Sequence, residues 1–353
     1  MLRRAFTQAF LALPCAALTV ACHTKHSREQ VLGGLIREIV APSTRALASE
    51  SSALRSASDA FIRSPSVQAL RTLRSAWRRA ALSWKAASIF QDGPLVESKA
   101  LLRASYWPVL PDAIDTLLKG ATDLDQRAFS DLSLNQRGLY ALEYLLFPAE
   151  RDEQLSLSLF AADEGKRRRL LLGALTHDLA QQAERALQAL GDGNEYARRF
   201  ARGGQQSLSL VLAQLILGVE TFAVNRVDLV LTLAERRLLK PSDVEGWPSG
   251  SSHQLLQAAL TAIERLYRGG PSGGLAELVQ TAAPTIAERA RLAFESALTA
   301  TGGLAAPLER LASERPEALR TVLATSKRLE VALKVDVASA LGVTLTFQSN
   351  DGD

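Results

Sequence analysis

From Val31 onward, leucine, isoleucine, valine and alanine recur three and four positions apart, and nowhere do polar and apolar residues alternate for long enough to argue a sheet. This spacing predicts an all-α fold. Leu32, Leu35, Ile36, Ile39, Val40, Leu47 and Leu54 place a buried stripe along a helix from Val31 to Ile62, with Pro42 as a kink point. Ser64-Pro65-Ser66 ends that helix, and a second is expected from Val67 to Phe90. After a polar connector beyond Pro148, further helices are expected from Leu170 to Ala189, Tyr196 to Leu217, Val219 to Arg237, Gln254 to Tyr267, Pro284 to Leu298 and Pro316 to Leu341. The breaks are Gly191-Asp192-Gly193, Pro241 to Ser252, and Gly269 to Gly274. Lys166-Arg167-Arg168-Arg169 reads as a solvated helix start, although its charges oppose the helix dipole there.

One stretch carries an anomaly. Arg137 to Phe147 reads as a helix that is apolar almost all round, which places it inside a bundle. Within it stands Glu143, whose carboxyl would cost several kcal/mol if buried unpaired, so it needs a partner, a metal or a proton. Tyr140, three residues earlier, shares its face, and Gly138 admits the close approach of a backbone or a ligand. Two readings follow: a core carboxylate matched by an arginine elsewhere, or a working site.

The run resembles the Gly-x-His-x-x-Glu signature of the imelysin-like family, peptidase family M75, in its Arg-Gly-x-His-Ala-x-Glu-x-Leu-Leu-Phe context. Arg137, Gly138, Ala141, Glu143, Leu145, Leu146 and Phe147 match, whereas Tyr140 occupies the histidine position. Trp77 and Trp84 leading to Phe90-Gln91-Asp92-Gly93-Pro94 are similar to the family's tryptophan-rich helix ending in Phe-Gly-Pro. Ser105-Tyr106-Trp107-Pro108 with Ile114-Asp115, and Leu341-Gly342-Val343-Thr344-Leu345-Thr346-Phe347 ending in Asp351-Gly352-Asp353, extend the likeness over nearly the whole chain. Ser88 and Asp92 depart from it, where relatives carry a glutamate and an aromatic residue.

The resemblance implies two four-helix-bundle-like domains, 31–155 and 156–353, with the site at their interface. It further implies a ligand site at Arg137, Gly138, Tyr140 and Glu143, with Tyr140 and Glu143 as candidate metal ligands, and a role in bacterial iron uptake. Phenolate and carboxylate oxygens are hard donors that suit ferric iron, so iron is the cofactor or cargo this pair would take.

At the amino terminus, Arg3 and Arg4 precede an apolar run from Ala5 to Ala21, the grammar of a bacterial export signal rather than a membrane span. Ala21 before Cys22 argues a lipoprotein signal over 1–22, with Cys22 lipidated, a polar tether over 23–30, and anchoring at the periplasmic side of the envelope, most simply the outer membrane. Cys15 is the rival site, spoiled by Pro14, and ordinary cleavage with release is the alternative. With Cys22 modified and Cys15 removed, neither of the two cysteines is left for a disulfide. Removing Arg3 and Arg4 lowers the formal charge from +4 to about +2, which, without a basic patch interleaved with aromatics, argues against nucleic acid as a partner.

Catalysis finds little support. A zinc hydrolase wants three histidine or carboxylate ligands and a general base. Only His177 and His253 lie beyond the tether, in no metal-binding spacing, and no Ser-His-Asp or Gly-x-Ser-x-Gly arrangement stands out. His177-Asp178 reads as a surface or interface pair, and His253 as a residue near a helix cap. No residue is therefore assigned a catalytic role. The expected function is a non-catalytic envelope lipoprotein binding iron or an iron-linked small ligand. An M75-type metallopeptidase, or a helical module for an envelope protein partner, are the alternatives.

Overall fold

The structure, a computed structural model, describes residues 26–120, 132–148, 152–161 and 165–344. Cys15, Cys22, most of the expected tether and the terminal Leu345 to Asp353 lie outside the described residues. Among the described residues the chain is helical without strands, and the one β-bridge joins Gly270 to Gly273 in a turn.

Helix α1 (Arg28–Gly34) begins inside the segment expected to be a tether, because Ser27 and Gln30 form a reciprocal capping box. His26 is held as well: its backbone N–H and ring Nδ1 reach the Glu277 carboxylate at 2.7 and 3.0 Å. A π-helical turn, Leu35–Val40, leads directly into α2 (Ala41–Arg63). Pro42 thus sits inside a continuous helix, two residues past the π-helical turn, and the shift in helical register just before it is the local departure that accommodates a residue without an N–H.

Helix α3 (Val67–Ala87) is started by the Ser66 side chain, which accepts from the Ala69 N–H. Its inner face is Leu70, Leu73, Trp77, Ala80, Ala81 and Trp84, all buried. Short helices α4 (Pro94–Glu97), α5 (Ala100–Ser105) and α6 (Pro111–Lys119) follow. Next comes α7 (Gly138–Leu146), the apolar helix singled out above, and α8 (Glu153–Ser158). All residues of α7 except Tyr144 are buried, as their composition requires.

Helix α9 (Lys166–Leu190) starts at the expected charge run, but that run is not simply solvated. Arg167 donates to the carbonyls of Leu117 and Leu118, and Arg168 to that of Leu145 while lying over the Phe160 ring. The carbonyl ends of α6 and α7 thus receive the cations that their own helix start disfavours. Then come α10 (Asn194–Arg202), α11 (Gln205–Gly218), a π-helical turn Val219–Asn225, α12 (Arg226–Glu235), α13 (Ser252–Arg268), α14 (Leu275–Ala282), α15 (Pro284–Gly302), α16 (Leu308–Glu314) and α17 (Pro316–Val331). The continuous stretch Gln205–Glu235 is apolar and long enough to cross a membrane, yet more than half of its most apolar window is buried inside the protein, as for a core helix.

Helix pairing crosses residue 155. Helix α9 packs against α2 and α7, and α13 packs against α3. The principal hydrophobic cluster accordingly runs from Val31 to Val343, through the edge-to-face pairs Phe61 with Phe160 and Trp77 with Phe147. A smaller cluster gathers α12, α16 and α17 around Val227, Leu231, Leu311 and Val322.

Candidate functional site

Helix α7 is fixed at its first residue by backbone geometry. Gly138 has φ +81°, and a Cβ there would stand 2.5 Å from the Ala104 carbonyl oxygen of α5. A backbone, not a ligand, is what approaches this glycine. Arg137, just before it, is engaged elsewhere: it donates to Asp178 of α9 at 2.7 Å, and both side chains are buried. Gln182 donates to the same carboxylate oxygen at 3.0 Å. Arg137 and Gly138, expected as ligand-binding residues, therefore seat the helix. The Asp178 of the expected surface pair is a buried counter-ion, while His177 meets Gln181 at 2.9 Å.

Tyr140 and Glu143 do come together, on the wall of a cavity of about 410 Å³. Its lining is largely aromatic and proline: Trp107, Tyr144, Phe147 and Pro148 on one side, Pro241, Trp247 and Pro248 on the other. The walls thus come from both sides of residue 155. Glu143 is 2% exposed and accepts the Ser249 N–H at 3.1 Å. Among the described residues no basic side chain lies within ion-pair distance of it. Burial raises its pKa from 4.5 to about 7, against the Ser249 hydrogen bonding and with the help of the Glu245 and Glu309 charges.

Tyr140 faces the opposite way from a cation ligand. Its hydroxyl donates to Glu245, a buried carboxylate in the loop before α13. Glu245 is also paired with Lys85 of α3, and Arg226 Nε lies 3.2 Å from its other oxygen without hydrogen-bond alignment. Desolvation opposes the charge on Glu245, but Lys85 and Arg226 outweigh it and hold the carboxyl below its ordinary value. Burial shifts Lys85 downward in spite of Glu245, and its ammonium lies 4.4 Å from the centre of the Phe222 ring. Desolvation and the charge of Glu245 push the Tyr140 phenol well above its usual pKa, so a phenolate is disfavoured. Among the described residues a bare ferric ion would then find Glu143 as its one ready donor, with two cations behind Tyr140. The donor set suits an organic molecule better than a naked metal.

Sequence reasoning missed Lys85, Glu245 and Arg226. A signal existed for the first: Lys85 continues the four-residue spacing of Trp77 and Ala81 on the buried face of α3. His253 is the second residue of α13, near the helix start as expected; its Nδ1 is buried without a hydrogen-bond partner, and burial lowers its pKa. Asp92, at the family's aromatic position, receives the Tyr196 hydroxyl. Among the described residues no group of three histidine, cysteine, aspartate or glutamate side chains is placed to hold a metal.

Comparison with known proteins agrees over most of the chain. The peptidase M75 family, described as imelysin, matches residues 40–334. Iron-regulated protein A of Synechococcus elongatus is 25% identical over 297 residues, which cover 81% of this chain and 79% of that protein. Two solved structures are similar in fold, each at 18% identity. One, described as an iron-regulated protein A precursor from Parabacteroides distasonis, superposes with a TM-score of 0.73 and covers 89% of this chain and 95% of its own. The other, an imelysin-like protein from Psychrobacter arcticum, gives 0.71 over 91% and 97%.

Proposed function

Since the chain belongs to the imelysin family, peptidase M75, we propose that it is a non-catalytic cell-envelope lipoprotein with an iron-related role, binding an iron-linked organic ligand in the cavity beside Glu143. The observation that carries this reading is Glu143 itself: a buried carboxyl on the wall of an aromatic cavity, hydrogen-bonded by Ser249 and unmatched by any cation within ion-pair reach among the described residues. A carboxyl that sits between its two protonation states near neutrality donates or accepts a hydrogen bond as a ligand requires. The name of the Synechococcus relative supports the link to iron. Lipidation at Cys22 and outer-membrane anchoring belong to the same proposal, on the export grammar of 1–22.

The peptidase reading has the family name in its favour, but among the described residues no group of three histidine, cysteine, aspartate or glutamate side chains is placed to hold a metal. Metal analysis of protein purified from iron-replete cells without chelators separates the readings. Stoichiometric iron accompanied by an extractable organic molecule, and lost in Glu143→Gln, is expected. Zinc with peptide cleavage would replace this reading by the peptidase, and neither metal by a module for an envelope protein.

A further inference from the structure

A second opening lies against the first. It is a groove of about 290 Å³ lined by Arg71, Arg74 and Arg78 of α3 with Phe147, Glu153, Pro248 and Ser249. The three arginines stand three and four residues apart and so share one helical face. Their partners do not neutralise them. Arg71 forms a two-pronged pair with Glu153, its Nε and Nη2 at 2.9 and 2.6 Å from Oε2. Arg74 is buried and, among the described residues, donates to neutral oxygens, the Leu146 carbonyl and the Ser156 hydroxyl, each at 2.8 Å. Arg78 is partly buried and donates to the Ser249 carbonyl at 3.2 Å. Among the described residues neither Arg74 nor Arg78 has a carboxylate within ion-pair distance. Among the described residues, then, Glu153 is the one carboxylate within ion-pair distance of the three guanidinium groups, and the charge of Glu143 reaches Arg78 only from farther off.

Local packing accounts for part of this. Arg74 receives the carbonyl end of α7, and Arg74 and Arg78 lie 5.2 and 4.9 Å from the centre of the Phe147 ring. Those contacts use one or two of the five donors on each guanidinium; Arg78 gives one Nη2 hydrogen to the Ser249 carbonyl, and among the described residues its other donors remain to grip an oxyanion. The charge is also costly where it stands, since burial lowers the pKa of both Arg74 and Arg78.

The two openings share a wall. Phe147 and Pro248 line both. Ser249 belongs to both networks, giving its N–H to Glu143 on the cavity side and its carbonyl to Arg78 on the groove side. We propose that the Arg71, Arg74 and Arg78 groove is an oxyanion subsite, taking the carboxylate end of a ligand whose apolar or aromatic body occupies the cavity of Trp107 and Trp247. The subsite rests on the reading of that cavity as a binding site and adds the ligand's chemical class: an organic acid rather than a neutral molecule or a free cation.

Isothermal titration of the mature chain at low ionic strength, with phthalate as the aromatic dicarboxylate and inorganic phosphate as the free oxyanion, tests it. Phthalate is expected to bind more tightly than phosphate, to weaken as salt is raised, and to lose about tenfold or more in affinity in Arg78→Met, with a smaller loss in the exposed Arg71→Met. The Arg71 variant removes no buried group, so it reads the charge of the groove even where Arg78→Met folds poorly. Phthalate binding unchanged in both variants, or dimethyl phthalate binding as well as the acid, overturns the proposal. Phosphate bound through Arg78 with no competition from phthalate overturns the organic-acid assignment. Phthalate binding that depends on Arg78 in a protein carrying no iron leaves the subsite standing and removes the iron link. Iron recovered equally from the parent and Arg78→Met, with no oxyanion bound, does the reverse.

Discussion

The hydroxyl of Tyr140 donates to Glu245, so the residue that takes the place of the family's histidine is joined to a buried cluster of one carboxylate and two cations. Its role is to hold a wall of the cavity. Tyr140→Phe keeps the ring and removes one hydrogen bond to a charged group, a loss of about 1.5 to 3 kcal/mol. Chemical denaturation should register that loss while ligand affinity changes little. Abolished binding with unchanged stability would instead make the phenol a direct ligand.

Glu143 sets a pH dependence. Its pKa is higher folded, about 7, than the ordinary 4.5, so between these values the folded chain binds the extra proton. Its contribution is neutral below about pH 4.5, becomes increasingly unfavourable up to about pH 7, and is constant above that. The full effect is on the order of 3 kcal/mol. Glu143→Gln, which keeps an oxygen for the Ser249 N–H, should be more stable than the parent at pH 8 and equal to it near pH 4.5. Urea denaturation at the two pH values checks this, and a variant less stable at pH 8 would show a hidden counter-ion.

Lys85 and Glu245 should behave as one unit. Each side chain is 8% exposed, so Lys85→Met leaves a buried carboxylate with Arg226 and Tyr140 alone, and Glu245→Gln leaves a buried ammonium. Either single change should cost about 3 to 5 kcal/mol, and the double change far less than the sum. A double-mutant cycle measured by thermal or chemical unfolding tests the coupling.

Arg137 and Gly138 act on the scaffold. Arg137→Met takes the guanidinium from Asp178, leaves that buried carboxylate to the Gln182 amide, and should destabilise by about 3 to 5 kcal/mol. Gly138→Ala must move the Ala104 backbone or abandon φ +81°, and should cost more than about 1 kcal/mol. Neither residue lines the cavity, so both variants that remain folded should bind the cavity's ligand with parental affinity.

The helices were legible because burying one face of a helix imposes a 3.6-residue period on the sequence. Val67 to Phe90 and Val31 to Ile62 were anticipated to within a few residues, although the π-helical turn at Leu35–Val40 leaves no mark in such a period. Glu143 stood out because a carboxyl among leucines is conspicuous. Its surroundings did not, because Ser249 and Glu245 come from a loop whose glycines, prolines and serines read only as a break. Charge complementarity between distant segments has no period. The resemblance places Arg137 at the site, whereas the carboxylate it pairs with, Asp178, stands on another helix with no mark in the sequence to join the two.

The loop from Val244 to Ser249 is pinned at both ends, by Glu245 into the charges under Tyr140 and by the Ser249 peptide between Glu143 and Arg78. The conformational entropy of this wall is consequently lost when the chain folds and not when a guest arrives. Binding should then proceed with little backbone rearrangement, as a rapid fit into a ready recess whose lifetime is governed by how fast the occupant leaves.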